Sequence, residues 1–108
     1  MTSNLTTIES LFLSYRDGTK KPQDVIAKFL EKIEIRNAYY SAYQSVWEEE
    51  AMAAAELATK ALAKGHDLGP LHGVPFALKD IFHVSDKVTT CGAIELSQNV
   101  AIATATVV

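Results

Sequence analysis

Cysteine is almost missing from this chain. Cys91 stands alone, so no disulfide can form within the 108 residues, which points to a reducing compartment. The N-terminus, Met1-Thr2-Ser3-Asn4, lacks the basic and apolar regions of a secretory signal. Asn4-Leu5-Thr6 fits the glycosylation pattern but without such a signal reads as a chance match. No run reaches the roughly 18 to 20 uninterrupted apolar residues of a membrane span, so no membrane is expected as a partner and the cytoplasm is the expected location. An excess of positive charge is also missing. A net charge of -3 gives no footprint for direct contact with nucleic acid. His66, His72 and His83 are scattered and, with one cysteine, form no zinc pattern, so no metal is expected. There is no internal repeat and no low-complexity tract beyond one alanine-rich stretch. After Glu95 there is no charge at all, and the chain runs out in Ala101-Ile102-Ala103-Thr104-Ala105-Thr106-Val107-Val108. Such a terminus is an aggregation hazard if exposed, and this predicts further chain beyond Val108.

A hydrophobic content of 48% against 21% charged residues is that of an ordered domain. Residues 1–5 are expected to be disordered. Thr6 and Glu9 have capping-box spacing, and Ile8, Leu11, Phe12 and Tyr15 recur on one helical face that Asp17-Gly18 should end. Pro22 suits a first helical turn. Ile26, Phe29, Leu30 and Ile33 form the next apolar face, opposite the charges of Lys28, Glu31, Lys32 and Glu34. The tyrosine-rich run from Tyr39 to Val46 predicts a strand. Glu48-Glu49-Glu50 opens a third helix with charge favourable to its dipole. Ala51 to Ala63 is its body and Gly65 its C′ residue. Val74 to Leu78 is a continuous apolar run, as in a strand covered on both faces, with Pro75 at its start or near an edge. The fold class predicted is α/β.

The run Gly69-Pro70-Leu71-His72-Gly73-Val74-Pro75-Phe76-Ala77-Leu78-Lys79-Asp80 ends on a cation. A lysine amine titrates near 10.4 when free and is then a poor base at neutral pH. Burial penalises the ammonium form and can bring that value down by several units. A neutral amine placed behind an apolar strand could take a proton from a hydroxyl nucleophile, which is weak until a base does so. Arginine, always charged, cannot do this. From spacing alone, the competing reading is that Lys79 pairs with Asp80 or emerges at a strand end. His72, in the loop before the strand, reads as structural, because no spaced carboxylate supports a Ser-His-Asp arrangement. Cys91 has the chemistry of a nucleophile, but a lone cysteine before a glycine reads first as a small packed side chain.

From Leu11 onward the chain resembles the amidase signature family. The resemblance is carried by Asp17-Gly18, Pro22 and its helix, the Gly65 turn, the run Gly69 to Asp80, and Thr89-Thr90-Cys91-Gly92. Ala105-Thr106-Val107-Val108 looks like the opening of the family's next helix, with Thr104 as N-cap. The resemblance implies helices and the first strands of a mixed sheet covered by helices, incomplete in this chain. Residues 1–108 would then be the N-terminal part of a single amidase domain. It also implies amide hydrolysis through an acyl-serine intermediate by a Ser-cisSer-Lys triad. Lys79 matches the lysine of the motif, and Thr89, Thr90, Cys91 and Gly92 match a supporting segment near the active centre. The two serines belong to a downstream segment. Ser3, Ser10, Ser14, Ser41, Ser45, Ser85 and Ser97 stand in other contexts, so the chain alone is expected to be inactive. His83, Ser85, Asp86, the pair Lys87-Val88 and the proline-free stretch Ile94 to Ala103 depart from the family pattern.

The resemblance implies no cofactor, a small-molecule amide as substrate, and a homodimer of the full-length enzyme. An alternative within the family is the ammonia-releasing component (the A subunit) of a glutamine-dependent amidotransferase, which serves tRNA-linked transamidation and needs partner subunits. From another class comes a non-catalytic helical interaction module, supported by the three amphipathic helices alone.

Overall fold

In a computed structural model, which describes residues 6–108, the ordered elements are three helices, α1 (Ile8–Asp17), α2 (Pro22–Tyr40) and α3 (Glu48–Ala63), and a short 3₁₀ turn, Ile94–Leu96. The expectation of disorder for residues 1–5 lies outside the described residues. None of the three helices is long and apolar enough to cross a membrane. The chain divides into two compact units, one ending at Pro75 and the other Phe76–Val108.

In the first unit, α1 begins one residue later than the sequence spacing suggests. Thr7, not Thr6, is the N-cap, and its reciprocal partner is Ser10 rather than Glu9. Thr7 Oγ1 accepts from the Ser10 amide at 3.0 Å, and Ser10 Oγ accepts from the Thr7 amide at 2.9 Å. The short serine side chain reaches back as a glutamate would, and Glu9 is left in the first turn, where its charge suits the dipole. Gly18 ends the helix at φ +79 as expected. Pro22 occupies the first turn of α2, also as expected, and Lys21 offers no capping side chain. A neighbouring helix supplies the cap instead. Thr59 Oγ1 of α3 accepts from the Gln23 amide at 3.2 Å while donating to the Ala55 carbonyl at 2.8 Å. At the end of α3, the Gly65 amide bonds the Leu62 carbonyl and the His66 amide bonds the Ala61 carbonyl, which is the Schellman arrangement.

The core of this unit is Leu11, Tyr15 and Val25, packed with Phe29, Leu62 and Val74 and flanked by the fully buried Pro22. Tyr15 donates its hydroxyl to the Gly73 carbonyl at 2.9 Å, and burial pushes its titration above the ordinary phenol range. Arg16 gathers the loop that leads to Gly73. Its guanidinium lies 3.5 Å from the centre of the Phe12 ring and donates to the Asp67 carboxylate at 2.5 Å and the Gly69 carbonyl at 3.0 Å. The Gly69 amide, and then Arg16, hold Asp67 below the usual carboxylate range.

The structure corrects the strands of the expected α/β class. The run Tyr39 to Val46 is not a strand, because α2 continues through Tyr40. Ser41, at φ +50, then ends the helix, with its amide on the Asn37 carbonyl. The Asn37 side chain bonds both the amide and the carbonyl of Tyr43, at 2.8 and 2.9 Å. The helical ladder and this side-chain bridge satisfy backbone groups that a strand here would leave without a partner. The run Val74 to Leu78 is not a paired strand either. Val74 and Leu78 are half-buried, but Phe76 is 73% exposed. Among the described residues no strand forms, because nothing lies alongside this run to complete a ladder. Pairing is limited to one antiparallel bridge, Val88 with Val100, in the second unit. Ala105 to Val108 makes a single turn, not a helix, and Thr104 accepts from the Ser85 amide rather than capping.

Gly73 is the most closely surrounded of the glycines. Its φ is +74, and a Cβ there would meet Pro22 Cγ at 2.7 Å and Tyr15 Cε2 at 3.1 Å. Gly18 has nearly the same φ, +79, with open space around it. Both glycine-to-alanine changes carry the left-handed backbone cost, and Gly73→Ala adds an overpacking cost of about 1–3 kcal/mol. Urea denaturation should find Gly73→Ala less stable than Gly18→Ala by that margin. Equal losses would contradict the close packing.

Candidate active site

The second unit holds Lys79 and the Thr89-Thr90-Cys91-Gly92 segment, and Asp80, next to Lys79, bonds that segment through both its side chain and its carbonyl. Asp80 Oδ1 accepts from the Thr90 amide at 3.0 Å, and Oδ2 accepts from the Thr90 hydroxyl. The Asp80 carbonyl accepts from the Cys91 amide at 2.9 Å. Thr90 Oγ1 in turn accepts from the Gly92 amide at 3.2 Å. Thr90, first through its hydroxyl and then through its amide, holds the Asp80 carboxyl below the ordinary carboxylate range.

Thr90 to Ala93 form a tight turn, closed by the Ala93 amide on the Thr90 carbonyl at 2.9 Å. Its central residues, Cys91 and Gly92, lie at φ +52 and +79, the signs of a type I′ turn. Glycine adopts this freely, whereas cysteine is strained there and must be held by its surroundings. Cys91 is exposed, so the expectation of a packed side chain fails. At the tip of a turn its side chain has no core to enter.

Thr89 lies beneath this turn, 1% exposed. Its amide bonds the Asn99 carbonyl at 3.0 Å, and its carbonyl accepts from Asn99 Nδ2 at 3.0 Å. Its hydroxyl lies 3.0 Å from His83 Nδ1, so His83, isolated in the sequence, is a partner of this segment in the fold. The amides of Ile81 and Phe82 both turn back to the Lys79 carbonyl, at 2.8 and 3.2 Å.

Lys79 itself is exposed. The expected burial behind an apolar strand is therefore not met among the described residues, because the strand that would cover it does not form. The pairing of Lys79 with Asp80 is not met either: Asp80 is turned onto Thr90, and among the described residues the ion pair is that of Arg16 with Asp67. Asp80, the chain neighbour of Lys79, is thus bonded to Thr90 and Cys91, while Gly92 bonds Thr90 and Thr89 is buried just before the turn. Sequence reasoning missed Asp80 and His83. The only available signal was an acidic residue ten positions before Thr90, and irregular chain of that length gives no periodicity to read.

His72 belongs to the first unit and is 7% exposed. Its Nδ1 accepts from the Leu68 amide at 3.2 Å and its Nε2 lies 2.9 Å from the Ala58 carbonyl, so these partners set the Nε2–H tautomer. Nδ1 closes the loop on itself and Nε2 fastens it to α3, which fits the structural reading.

Three comparisons bear on this arrangement. The family model for amidase matches residues 24–108. The chain is 36% identical over 102 residues to the A component of the mitochondrial glutamyl-tRNA(Gln) amidotransferase of Canis lupus familiaris, covering 94% of this chain and 19% of that protein. It is 44% identical over 71 residues to the corresponding component of the glutamyl-tRNA(Gln) amidotransferase of Mycolicibacterium gilvum (strain PYR-GCK), covering 65% and 14%. The chain spans about a fifth or less of the length of these relatives. A solved structure concerning a vestigial protein complex and the evolutionary origins of an s-triazine catabolic enzyme superposes with a TM-score of 0.87 at 25% identity. That match covers 93% of this chain and 22% of the other.

The Asp80 clasp has a direct test. Because the folded-state value of Asp80 is depressed, its stabilising contribution is present above the unfolded carboxylate range, about 3.9, and is lost as pH falls through the folded value. Thr90→Val removes the hydroxyl and keeps the amide. The Asp80 carboxyl-carbon shift, followed by NMR against pH, should then titrate at higher pH than in the wild type. An unchanged midpoint would contradict the hydroxyl contact.

Proposed function

The chain belongs to the amidase family, and from that premise we propose that it is the N-terminal part of a single amidase domain that hydrolyses a carboxamide with Lys79 as its base. One observation carries the reading. Lys79 stands near the end of the Gly69 to Asp80 run with its carbonyl hydrogen-bonded, and the adjacent Asp80 carboxylate is turned onto Thr90. In this reading a serine from the remaining sequence attacks the carbonyl carbon. Its proton passes through a second serine, joined by a cis peptide bond, to the Lys79 amine. The resulting ammonium returns the proton to the leaving amine as the carbon–nitrogen bond breaks, and water then hydrolyses the acyl ester. Backbone amides near the serines hold the oxyanion.

Lys79 must reach this role from an exposed position, so its desolvation falls to the remaining sequence. The exposure of Phe76, Ile94 and Ile102 supports this part of the reading, since large apolar side chains left in water call for neighbours. The 108 residues then hold a base without its nucleophile and are inactive by themselves.

In the full-length gene product, Lys79→Ala and Lys79→Arg should each lower kcat for amide hydrolysis by roughly 10²- to 10⁴-fold with an unchanged circular dichroism spectrum. Wild-type turnover by either variant would overturn the base assignment.

A second reading is favoured by the names of the curated relatives. The enzyme would be the ammonia-releasing component of a glutamine-dependent amidotransferase, passing ammonia to a partner that acts on misacylated tRNA. Glutaminase activity of the full-length product, and its co-purification with partner subunits, are the expected outcomes. A monomer that cleaves simple carboxamides and leaves glutamine intact would decide for the plain hydrolase.

A further inference from the structure

We propose that Asp80 is a positioning residue for Lys79, acting through its clasp on Thr90 both to fix the Lys79–Asp80 backbone and to keep the carboxylate away from the neighbouring amine. The inference rests on the reading of Lys79 as the base.

Two independent physical demands meet at this clasp. The first is geometric. The backbone sets the starting point and Cα–Cβ direction of a base at the end of an irregular segment, and a misplacement of about 1 Å can cost a catalytic step about 10²-fold. The Lys79 carbonyl is held from one side by the amides of Ile81 and Phe82. From the other side, Asp80 bonds Thr90 through its side chain and Cys91 through its carbonyl. The turn on which Asp80 is anchored is itself over-determined. Its hydrogen bonds to Thr90 Oγ1 and to the Thr90 carbonyl keep Cys91 at φ +52 despite the strain.

The second demand is electrostatic. A carboxylate next to an amine stabilises the ammonium form and makes it a poorer base. Asp80 is one residue from Lys79, and a free Asp80 is the obvious ion-pair partner. With the amide and hydroxyl of Thr90 on its two oxygens, it is oriented toward the turn. His83 is likewise occupied by the Thr89 hydroxyl. The amine is thereby left for the reacting serine.

The test uses the full-length gene product with four variants: Lys79→Ala, Asp80→Ala, Thr90→Val and Thr90→Ser. Active enzyme is counted by final stoichiometric labelling with a fluorophosphonate, so that unfolded material does not lower the apparent kcat. Asp80→Ala should lose about 10²-fold in kcat per labelled enzyme with little change in KM. Thr90→Val, which frees one carboxylate oxygen, should lower kcat and move the acidic limb of the pH–rate profile to higher pH, and Thr90→Ser should recover most of both effects. If Asp80→Ala fails to fold, as read by its thermal melt, the two Thr90 variants decide. Unchanged kcat in Asp80→Ala, an unmoved acidic limb in Thr90→Val, or a Thr90→Ser no better than Thr90→Val would overturn the proposal. If Lys79→Ala keeps its turnover, the base reading fails whatever Asp80 does. If Lys79→Ala is inactive and Asp80→Ala is intact, only the clasp fails.

Discussion

The candidate site depends on one pair of hydrogen bonds, those that bring both oxygens of the Asp80 carboxylate onto the amide and hydroxyl of Thr90. Charge-assisted bonds of this kind are among the stronger contacts a loop can make. Here they join two stretches of irregular chain ten residues apart. Lys79 on one side and the Cys91-Gly92 turn on the other take their places from this junction. The same bonds turn the Asp80 carboxylate onto Thr90, and among the described residues it makes no ion pair with the lysine beside it.

The first unit solves a related problem with different residues. The loop that leads from α3 to Gly73 has no regular structure, so its backbone groups need side-chain partners. Arg16 supplies donors to Asp67 and Gly69, His72 bonds Leu68 and Ala58, and Tyr15 donates to Gly73. Each partner comes from a helix or reaches back to one. The small side of Gly73 then lets the chain pass against Pro22 and Tyr15. Arginine, histidine and tyrosine do here what a sheet ladder does elsewhere, and this explains why a buried histidine in this loop is structural.

The helices were legible because their signals are local. Asp17-Gly18, Pro22, the three glutamates at residues 48–50 and Gly65 all stand where the structure uses them. The capping register of α1 was misplaced by one residue because Thr6 and Thr7 are equivalent in sequence, and only the reach of Ser10 selects between them. The strands were not legible for the opposite reason. A β-prone composition states only that a segment can pair, and pairing is a property of two segments. Tyr39 and Tyr40 went to the helix, where backbone partners are already in place. Val74 to Leu78 had no ladder to join.

Of the candidate site, the sequence by itself determined that one lysine closes an apolar run, that two threonines, a cysteine and a glycine follow, and that the chain falls in the amidase family. These depend on residue identity and order, which local chemistry and motif length make readable. Only the tertiary structure decided that Asp80 joins the two segments, that Cys91 faces solvent at the tip of a turn, and that Lys79 stands free of its neighbouring carboxylate. Those outcomes depend on where irregular backbone crosses itself, and the hydrogen bonds that fix such a crossing have no period in the sequence.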